Sequence, residues 1–436
     1  MTIWASSTED FLNTLRDAGL RRACLILDPS SNELVPSHPC LDGLAARISG
    51  GMRDFRQHEA IFFEVGHDSG HLLAAFVHAT KRGLAAGGTR FWGYDTLEDM
   101  VRDGLRLSRG MGQKNSLAGL WWGGGKGVIA RQAGKDHRDP LLRKAIYNDY
   151  GRFVSGLCGV YVTAEDVGTT PQDMANVFQT TRFTTCIPPE FGGSGNPSAI
   201  TAAGVVCAME AALHSSDQGT LAGKTIAMQG LGNVAFYMIE ELLGRGIAKV
   251  VAVDIDQDSV DRALRTYADG RLTATVVDKR DTSILAQECD VLAPNAVGGI
   301  LNPDTIPHIK APVVCGAANN QFEDSQRDAT LLQERGILGV PDFLANRMGI
   351  VNCANEQYGV FEGDPMVEAH LDRETPTGVF QRCLEVFSRA QASGRTPNAE
   401  AEALADELSQ QNHPIWGHRG PQIIDYLVTS RWADQV

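Results

Sequence analysis

The sequence predicts a two-lobed α/β fold whose second lobe is a doubly wound parallel sheet. Three observations carry this. After Gly223 the pattern runs strand, glycine turn, apolar-periodic helix, strand, and two later runs, DVLAP and PVVCGAA, read as further buried parallel strands. Residues 59 to 79 have strand texture, IFFEV and HLLAAFV, split by the turn signal GHDSG. Between these regions PPEFGGSGNPS (188 to 198) breaks all periodicity, as a hinge between lobes would.

In order along the chain, residues 1 to 55 combine an amphipathic stretch (Phe11, Leu12, Leu15, Leu20), a short apolar run (Ala23 to Leu27) and a Pro/Ser loop, and read as an appended extension. A β-hairpin follows. Asp95 and Thr96 offer an N-cap for a helix carrying Leu97, Met100, Val101, Gly104 and Leu105, which should run out at the glycines after Arg109. Helical patterns cover about 140 to 158 and 200 to 215. TIAMQ (225 to 229) and KVVAVDID (249 to 256) read as strands flanking a helix through Met238, Ile239, Leu242 and Leu243. Past Leu344 the chain turns helical again, including 397 to 409.

The 436 residues are 43% apolar and 21% charged, enough to bury a sizeable core, and the net charge of −14 disfavours nucleic acid or an anionic membrane as partner. Nine dispersed cysteines with no Cys-x-x-Cys pair fit reduced thiols. With no signal-like N-terminus and no stretch approaching 18 apolar residues, a cytoplasmic location is expected.

Gly230-Leu231-Gly232-Asn233-Val234-Ala235 fits G-x-G-x-x-A. It follows a strand, opens a helix and precedes Asp254, 22 residues beyond Gly232 at the end of the next strand. Such glycines let backbone approach a pyrophosphate at a helix N-terminus. Asp254 would accept both ribose hydroxyls and repel a 2′-phosphate, so NAD is expected over NADP. Asp256 could also reach the ribose or serve the surface.

Residues 83 to 127 hold 12 of the 46 glycines and two of only nine lysines, Lys114 and Lys126. Glycines around a lysine read as the floor of a pocket. An ammonium, unlike a guanidinium, can cycle its proton when desolvated, so one lysine could hold a carboxylate while the other does acid–base work. Ordinary surface lysines are the alternative. Downstream, YVTAEDVGTT (161 to 170) reads as a buried strand ending in an acidic pair, and either Glu165 or Asp166 is a candidate proton carrier. The histidines of HDSGH (67 to 71) bound a turn and lack a third ligand, so no metal is expected.

Ten ordered blocks resemble the glutamate/leucine/phenylalanine/valine dehydrogenase family, and within it the leucine and phenylalanine branch. They are GGTRFW, LRLSRGMGQKNSLAGL, GGGKGVI, GRFV, YVTAEDVGTT, SGNPSAIT, QGLGNVA, LAPNAVGGILN, GAANNQ and PDFLAN, spanning about 55 to 360. The resemblance implies a substrate-binding and oligomerisation lobe (56–196), a Rossmann-type NAD lobe (197–344) and C-terminal helices (345–436) returning to the first lobe. It implies reversible NAD-dependent oxidative deamination of an L-amino acid to a 2-oxo acid and ammonia, by a homo-oligomer. Lys114 would hold the substrate carboxylate with Gly87, Gly88 and Asn346. Lys126 would be the catalytic base and Asp166 the acid/base on the substrate nitrogen. Thr201, Asn295 and Asn319, with Gly230, Gly232, Asn233, Val234 and Asp254, would bind the cofactor.

Ala86, Ala164, Ile350 and Cys353 match the family's side-chain pocket. Ala86 stands where glutamate dehydrogenases carry lysine, which argues against glutamate and for a bulky apolar side chain. Trp122 replaces a methionine or leucine before the triple glycine and could refill that space or be a core aromatic. Arg347 replaces a small residue, and the reading favoured here is an outward, solvated charge over one turned inward to bind an acidic side chain. These departures keep a specialised reductive aminase for an unusual 2-oxo acid in play. A non-catalytic NAD-binding sensor would have no reason to retain Lys114, Lys126 and Asp166.

Overall fold

The computed structural model describes residues 3–435, which form two compact units. Unit 1 is the chain up to Asn196, Glu356–Val360, and the chain from Glu407; unit 2 is Pro197–Asn355 and Phe361–Asp406.

Unit 1 contains strands β1 (Arg22–Asp28), β2 (Glu33–Pro36), β3 (Ala60–Val65), β4 (Leu72–Ala79), β5 (Ala85–Ala86), β6 (Thr89–Trp92), β7 (Gly123–Ala130) and β8 (Tyr161–Val162). Its helices are α1 (Thr8–Asp17), α2 (Asp42–Ser49), α3 (Leu97–Leu117), α4 (Pro140–Gly156) and α5 (Pro171–Phe178). The strands make one sheet in the order β2-β1-β3-β4-β7-β5-β8, with β6 also on β7. Pairing is antiparallel from β2 to β7 and parallel among β5, β6, β7 and β8. The expected hairpin is β3 and β4, in register from Val65 against Leu72 to Ala60 against Val77.

Two expectations for this unit need correction. Residues 1–55 are not an appended extension. β1 pairs with β3, and Phe11, Leu15, Leu44 and Ile48 are buried in one core with Phe63, Phe76 and Leu105. Helix α3, capped by Thr96 Oγ1 accepting from Asp99 N at 3.1 Å, does not stop after Arg109 but continues through Gly110 and Gly112 to Leu117. Glycine costs a helix about 1 kcal/mol relative to alanine, and here close packing offsets it. A Cβ on Gly104 would lie 2.2 Å from the Phe76 ring, and one on Gly112 would lie 3.3 Å from Gly124 Cα in β7.

Segment 186–194 is gathered by one carboxylate. Glu356 accepts from the backbone N–H groups of Cys186 (2.8 Å), Ile187 (3.2 Å) and Ser194 (3.1 Å) and from the Ser194 hydroxyl (2.5 Å).

Unit 2 opens with α6 (Ser198–Ser215) and carries β9 (Thr225–Gln229), α7 (Asn233–Gly244), β10 (Lys249–Asp254), α8 (Gln257–Thr266), β11 (Leu272–Val276), β12 (Val291–Pro294) and β13 (Val313–Val314). Then come α9 (Arg327–Glu334), β14 (Leu338–Gly339), α10 (Asp342–Ala345), α11 (Met348–Glu356), α12 (Pro365–Glu368), α13 (Val379–Ser393) and α14 (Pro397–Ser409); α15 (Arg419–Thr429) belongs to unit 1. The sheet is wholly parallel in the order β11-β10-β9-β12-β13-β14, the doubly wound dinucleotide-binding arrangement. Helix α6 is apolar enough by composition to span a bilayer, but 72% of it is buried within the fold. It packs against α7 and α13.

The C-terminal region also departs from expectation. Only Glu356–Val360 and the chain from Glu407 fall in unit 1; residues 361–406 belong to unit 2. The reason is α13, which buries Phe380, Cys383, Val386 and Phe387 and lies on α6.

Candidate active site

In unit 1 the glycine block is built for contact between chain segments. A Cβ on Gly87 would lie 1.9 Å from Gly125 O, one on Gly88 2.5 Å from Glu165 O, and one on Gly124 2.9 Å from Gly112 Cα. These glycines therefore let β5, β7, α3 and the 163–166 segment meet backbone to backbone, which corrects the view of them as a bare pocket floor. Their effect is to bring side chains from four segments together. Tyr161 OH donates to Gly87 O at 2.7 Å, and Tyr150, Thr89 and Thr163, all fully buried, hydrogen-bond one another behind it.

Lys126 lies in β7, opposite Phe76 of β4, and its residue is 3% exposed. Its Nζ donates to Asp166 Oδ2. Asp166 is held in place by its backbone: its N–H donates to Thr169 Oγ1 at 2.8 Å and its carbonyl accepts from that hydroxyl at 2.7 Å. The next helix, α5, begins with a capping box between Thr170 and Asp173, and Asp173 is paired with Arg143.

Electrostatics separates the two acids that the sequence left open. Burial pulls the Asp166 carboxyl up, but the positive charges of Lys126 and Arg90 outweigh it and hold the group down at about 2. Glu165 has no such partner. Burial, followed by repulsion from Asp166 and Asp173, pushes it up to about 7, and its Oε2 is buried without a hydrogen-bond partner. Asp166 is thus the carboxylate joined to Lys126.

Lys114 is half-buried in the last turn of α3, whose C-terminal dipole favours a cation there. Its neighbour Asn115, fully buried, donates to Gly123 O at 2.6 Å and reaches Ala86 O at 3.5 Å, tying α3 to β7 and β5. Ala86 is 1% exposed, and Gly87 N accepts its place in the sheet by donating to Val162 O at 3.1 Å. Ala164 O accepts from Thr89 N at 2.8 Å. Trp122 is half-buried at the entry to β7. Sequence reasoning missed Asn115, Tyr161 and Arg90. All lie inside quoted motifs, but only the fold shows what they touch.

Unit 2 carries the remaining candidates. Gly230 sits at φ +91°, open to glycine and costly to other residues, and a Cβ there would lie 2.9 Å from Ala296 Cβ. Nothing lies within 4 Å of where a Gly232 Cβ would be. Gly232 is the N-cap of α7 and supplies no side-chain cap, so the first amides of α7, from Asn233 and Val234 onward, face an open cradle. Asp254 at the end of β10 accepts from Leu231 N at 2.5 Å, beside that cradle. Asp256 instead caps α8, accepting from Ser259 N at 3.2 Å.

Asn346 Nδ2 donates to Ala317 O at 3.1 Å and Asn319 Oδ1 at 3.0 Å, while Asn295 Oδ1 accepts from Ala317 N at 2.7 Å. Asn346 Oδ1 and Asn295 Nδ2 remain buried with no hydrogen-bond partner among the described residues. Orphaned polar atoms of this kind fit a dinucleotide with an amide-bearing ring. Thr201 hydrogen-bonds Pro197 O at 2.8 Å, and a Cβ on Gly349 would lie 2.9 Å from its hydroxyl. Ile350 and Cys353 are buried one turn apart on α11.

Arg347 is not the outward charge expected from the sequence. It is fully buried and its guanidinium donates to Thr377 O within unit 2. Burial, with Arg382 adding repulsion, lowers it to about 9. Its stem is enclosed by the fold, and its head serves a backbone carbonyl.

Two family models match: the Glu/Leu/Phe/Val dehydrogenase dimerisation domain over residues 58–183, and Glutamate/Leucine/Phenylalanine/Valine dehydrogenase over 192–409. Leucine dehydrogenase of Geobacillus stearothermophilus is 43% identical over 355 residues, covering 81% of this chain and 90% of the relative. Valine dehydrogenase of Streptomyces coelicolor is 37% identical over 358 residues, covering 82% and 93%. Among solved structures, L-tryptophan dehydrogenase from Nostoc punctiforme matches with a TM-score of 0.65 at 32% identity, covering 81% of this chain and 96% of that one.

Proposed function

The chain belongs to the glutamate/leucine/phenylalanine/valine dehydrogenase family, and on that premise we propose that this amino acid dehydrogenase carries out reversible, NAD-dependent oxidative deamination of L-amino acids with apolar side chains, branched aliphatic ones foremost. The observation that carries the reading is the Lys126–Asp166 ion pair, set in a glycine-packed sheet beside Ala86 and Ala164. Ala86, Ala164, Ile350 and Cys353 offer no charge to a substrate side chain, which supports an apolar one. The leucine and valine dehydrogenase relatives support the branched class, and the tryptophan dehydrogenase keeps aromatic substrates in the test panel.

The Gly230–Gly232 turn and the first amides of α7 would hold the dinucleotide, which would supply the hydride acceptor. The chain's own residues do the rest. Lys114, a fixed charge at the end of α3, holds the α-carboxylate. Asp166 is a carboxylate at neutral pH and takes a proton from the substrate ammonium, leaving a neutral amine. Lys126, as general base, takes a proton from the water that adds to the imino carbon. Asp166 then returns its proton to the nitrogen, the C–N bond breaks as C=O forms, ammonia leaves and the hydroxyl proton passes to solvent. Meanwhile the Lys126 ammonium steadies the oxygen. Contact between Lys126 Nζ and Asp166 Oδ2 gives the two groups a direct path for passing a proton. Asp254 supports NAD over NADP through repulsion of a 2′-phosphate. The dimerisation-domain match supports a homo-oligomer.

Oxidation of NADH, and of NADPH, with ammonia and a panel of branched aliphatic, aromatic and acidic 2-oxo acids tests this. The expected order is branched first, aromatic slower, acidic inert, with NADH preferred. No turnover with any member overturns the proposal, and preference for NADPH overturns the role of Asp254. A specialised reductive aminase drew support from Trp122 and Arg347, and the hydrogen bond from the Arg347 guanidinium to Thr377 O weakens the second of these grounds.

A further inference from the structure

Arg90, on β6, is not among the residues that the motifs assign to substrate or cofactor. Its Nη1 is bound to Asp103 of α3 at 3.1 and 2.9 Å. Asp103 is held in turn by Tyr94 OH at 2.8 Å and Arg106 Nη2 at 3.2 Å. Only the far edge of the guanidinium is uncommitted. Arg90 Nε is buried and has no hydrogen-bond partner among the described residues, and it stands 3.7 Å from Asp166 Oδ2, the same oxygen that Lys126 engages.

The arrangement has a chemical consequence. In the resting pair Lys126 and Asp166 neutralise each other, yet the reaction asks Lys126 to turn away while Asp166 is still the carboxylate that must take the substrate's proton. A mostly buried carboxylate that loses its nearest cation before it is protonated is left poorly solvated. We propose that Arg90 is the positioning residue that takes over Asp166 when Lys126 lets go, its Nε–H closing on Oδ2 as the lysine leaves. A movement of under about 1 Å converts the 3.7 Å ion pair into a charge-assisted hydrogen bond. Asp103 keeps the guanidinium from collapsing onto Asp166 earlier, because its two oxygens hold Nη1 on the α3 side. Other charged or titratable groups facing Asp166 are Glu165 on its own segment and Tyr94, which acts through Asp103. Neither is a cation, so among the described residues whose charge acts on Asp166, Arg90 is the one that can succeed Lys126.

This inference rests on the dehydrogenase reading for its kinetic test and is independent of it for its structural one. In the kinetic test Arg90→Met and Arg90→Lys are compared in oxidative deamination. Arg90→Met should lower kcat by about 10²-fold while KM for the amino acid changes by less than about threefold, and the solvent deuterium isotope effect on kcat should rise as proton transfer becomes limiting. Arg90→Lys, which keeps a cation, should recover most of kcat. A near-normal kcat in Arg90→Met, or Arg90→Lys no faster than Arg90→Met, overturns the proposal.

The structural test is a crystal structure of the full-length Lys126→Met variant. Asp166 Oδ2 should lie about 3 Å from Arg90 Nε, and a carboxylate swung out to solvent overturns the handover. If the wild-type protein turns over no amino acid, the dehydrogenase reading falls while the Lys126→Met structure still decides what Arg90 does. If Lys126→Met does not fold, the two Arg90 variants decide it.

Discussion

Lys126 and Asp166 are each ordinary residues made unusual by where the backbone sets them. Removing the lysine takes away the group that activates water, so Lys126→Ala should slow oxidative deamination by about 10²- to 10⁴-fold while dinucleotide binding, followed by calorimetry, persists. Retention of near-normal activity would refute the assigned role. Glu165 gives a prediction of the opposite kind. Its carboxyl is raised from the usual 4.5 to about 7, so between those pH values the folded chain holds a proton that the unfolded chain has lost. Stability from this group therefore falls as pH rises from about 4.5 to 7 and stays low above it. Because Glu165 is part-exposed, the penalty is discounted to about 1 kcal/mol. Glu165→Gln should raise the melting temperature at pH 8 and not at pH 4.5, measured by calorimetry. An equal rise at both values would show that the carboxylate is not strained.

At the scale of elements, α3 shows what sequence could and could not convey. Its start was legible, because Thr96 followed by Glu98 and Asp99 is a capping pattern that depends only on near neighbours. Its end was not. Gly110 and Gly112 look like breakers until β7 is laid alongside, and nothing local says that Gly124 lies opposite Gly112. The same limit applied to residues 1–55, whose amphipathic pattern was visible but whose partner strand β3 was not. Two substitutions in α3 should separate the roles of its glycines. Gly104→Ala places a methyl group 2.2 Å from the buried Phe76 ring and should cost about 1–3 kcal/mol. Gly110→Ala has nothing within 4 Å and should gain up to about 1 kcal/mol from helix propensity. Urea titration of both checks this, and a destabilised Gly110→Ala would mean that the space beside it is filled in solution.

For the whole molecule, the doubly wound sheet of unit 2 and the Gly230 turn were readable because the strand, glycine turn and helix are contiguous in sequence. The Lys126–Asp166 pair was readable only as two separate candidates, since the two lie 40 positions apart in sequence. Arg347 was misread because its burial depends on α13 and the Thr377 segment, which the chain supplies later. The role of the N-terminal segment leads to a further expectation. A chain beginning at residue 56 loses β1 and β2 together with Phe11, Leu15, Leu44 and Ile48 from the unit 1 core, leaving β3 as an exposed edge that is apolar except for Glu64, whose partners Arg21 and Arg22 go with β1. It should aggregate on gel filtration, and a soluble, monodisperse product would show that the segment is dispensable.

The contacts made by Gly87, Gly88 and Gly124 also affect how variation at this site is to be interpreted. No side chain can enter at Gly87 without displacing the Gly125 carbonyl 1.9 Å away, whatever ligand is or is not present. A saturation library scored for survival would therefore find these positions intolerant even in a protein freed from any need to catalyse. Intolerance there reports the architecture of the sheet. Tolerance at Ala86, Trp122 and Cys353, which the proposed function sets against the substrate side chain, is what would record the substrate that selection has favoured.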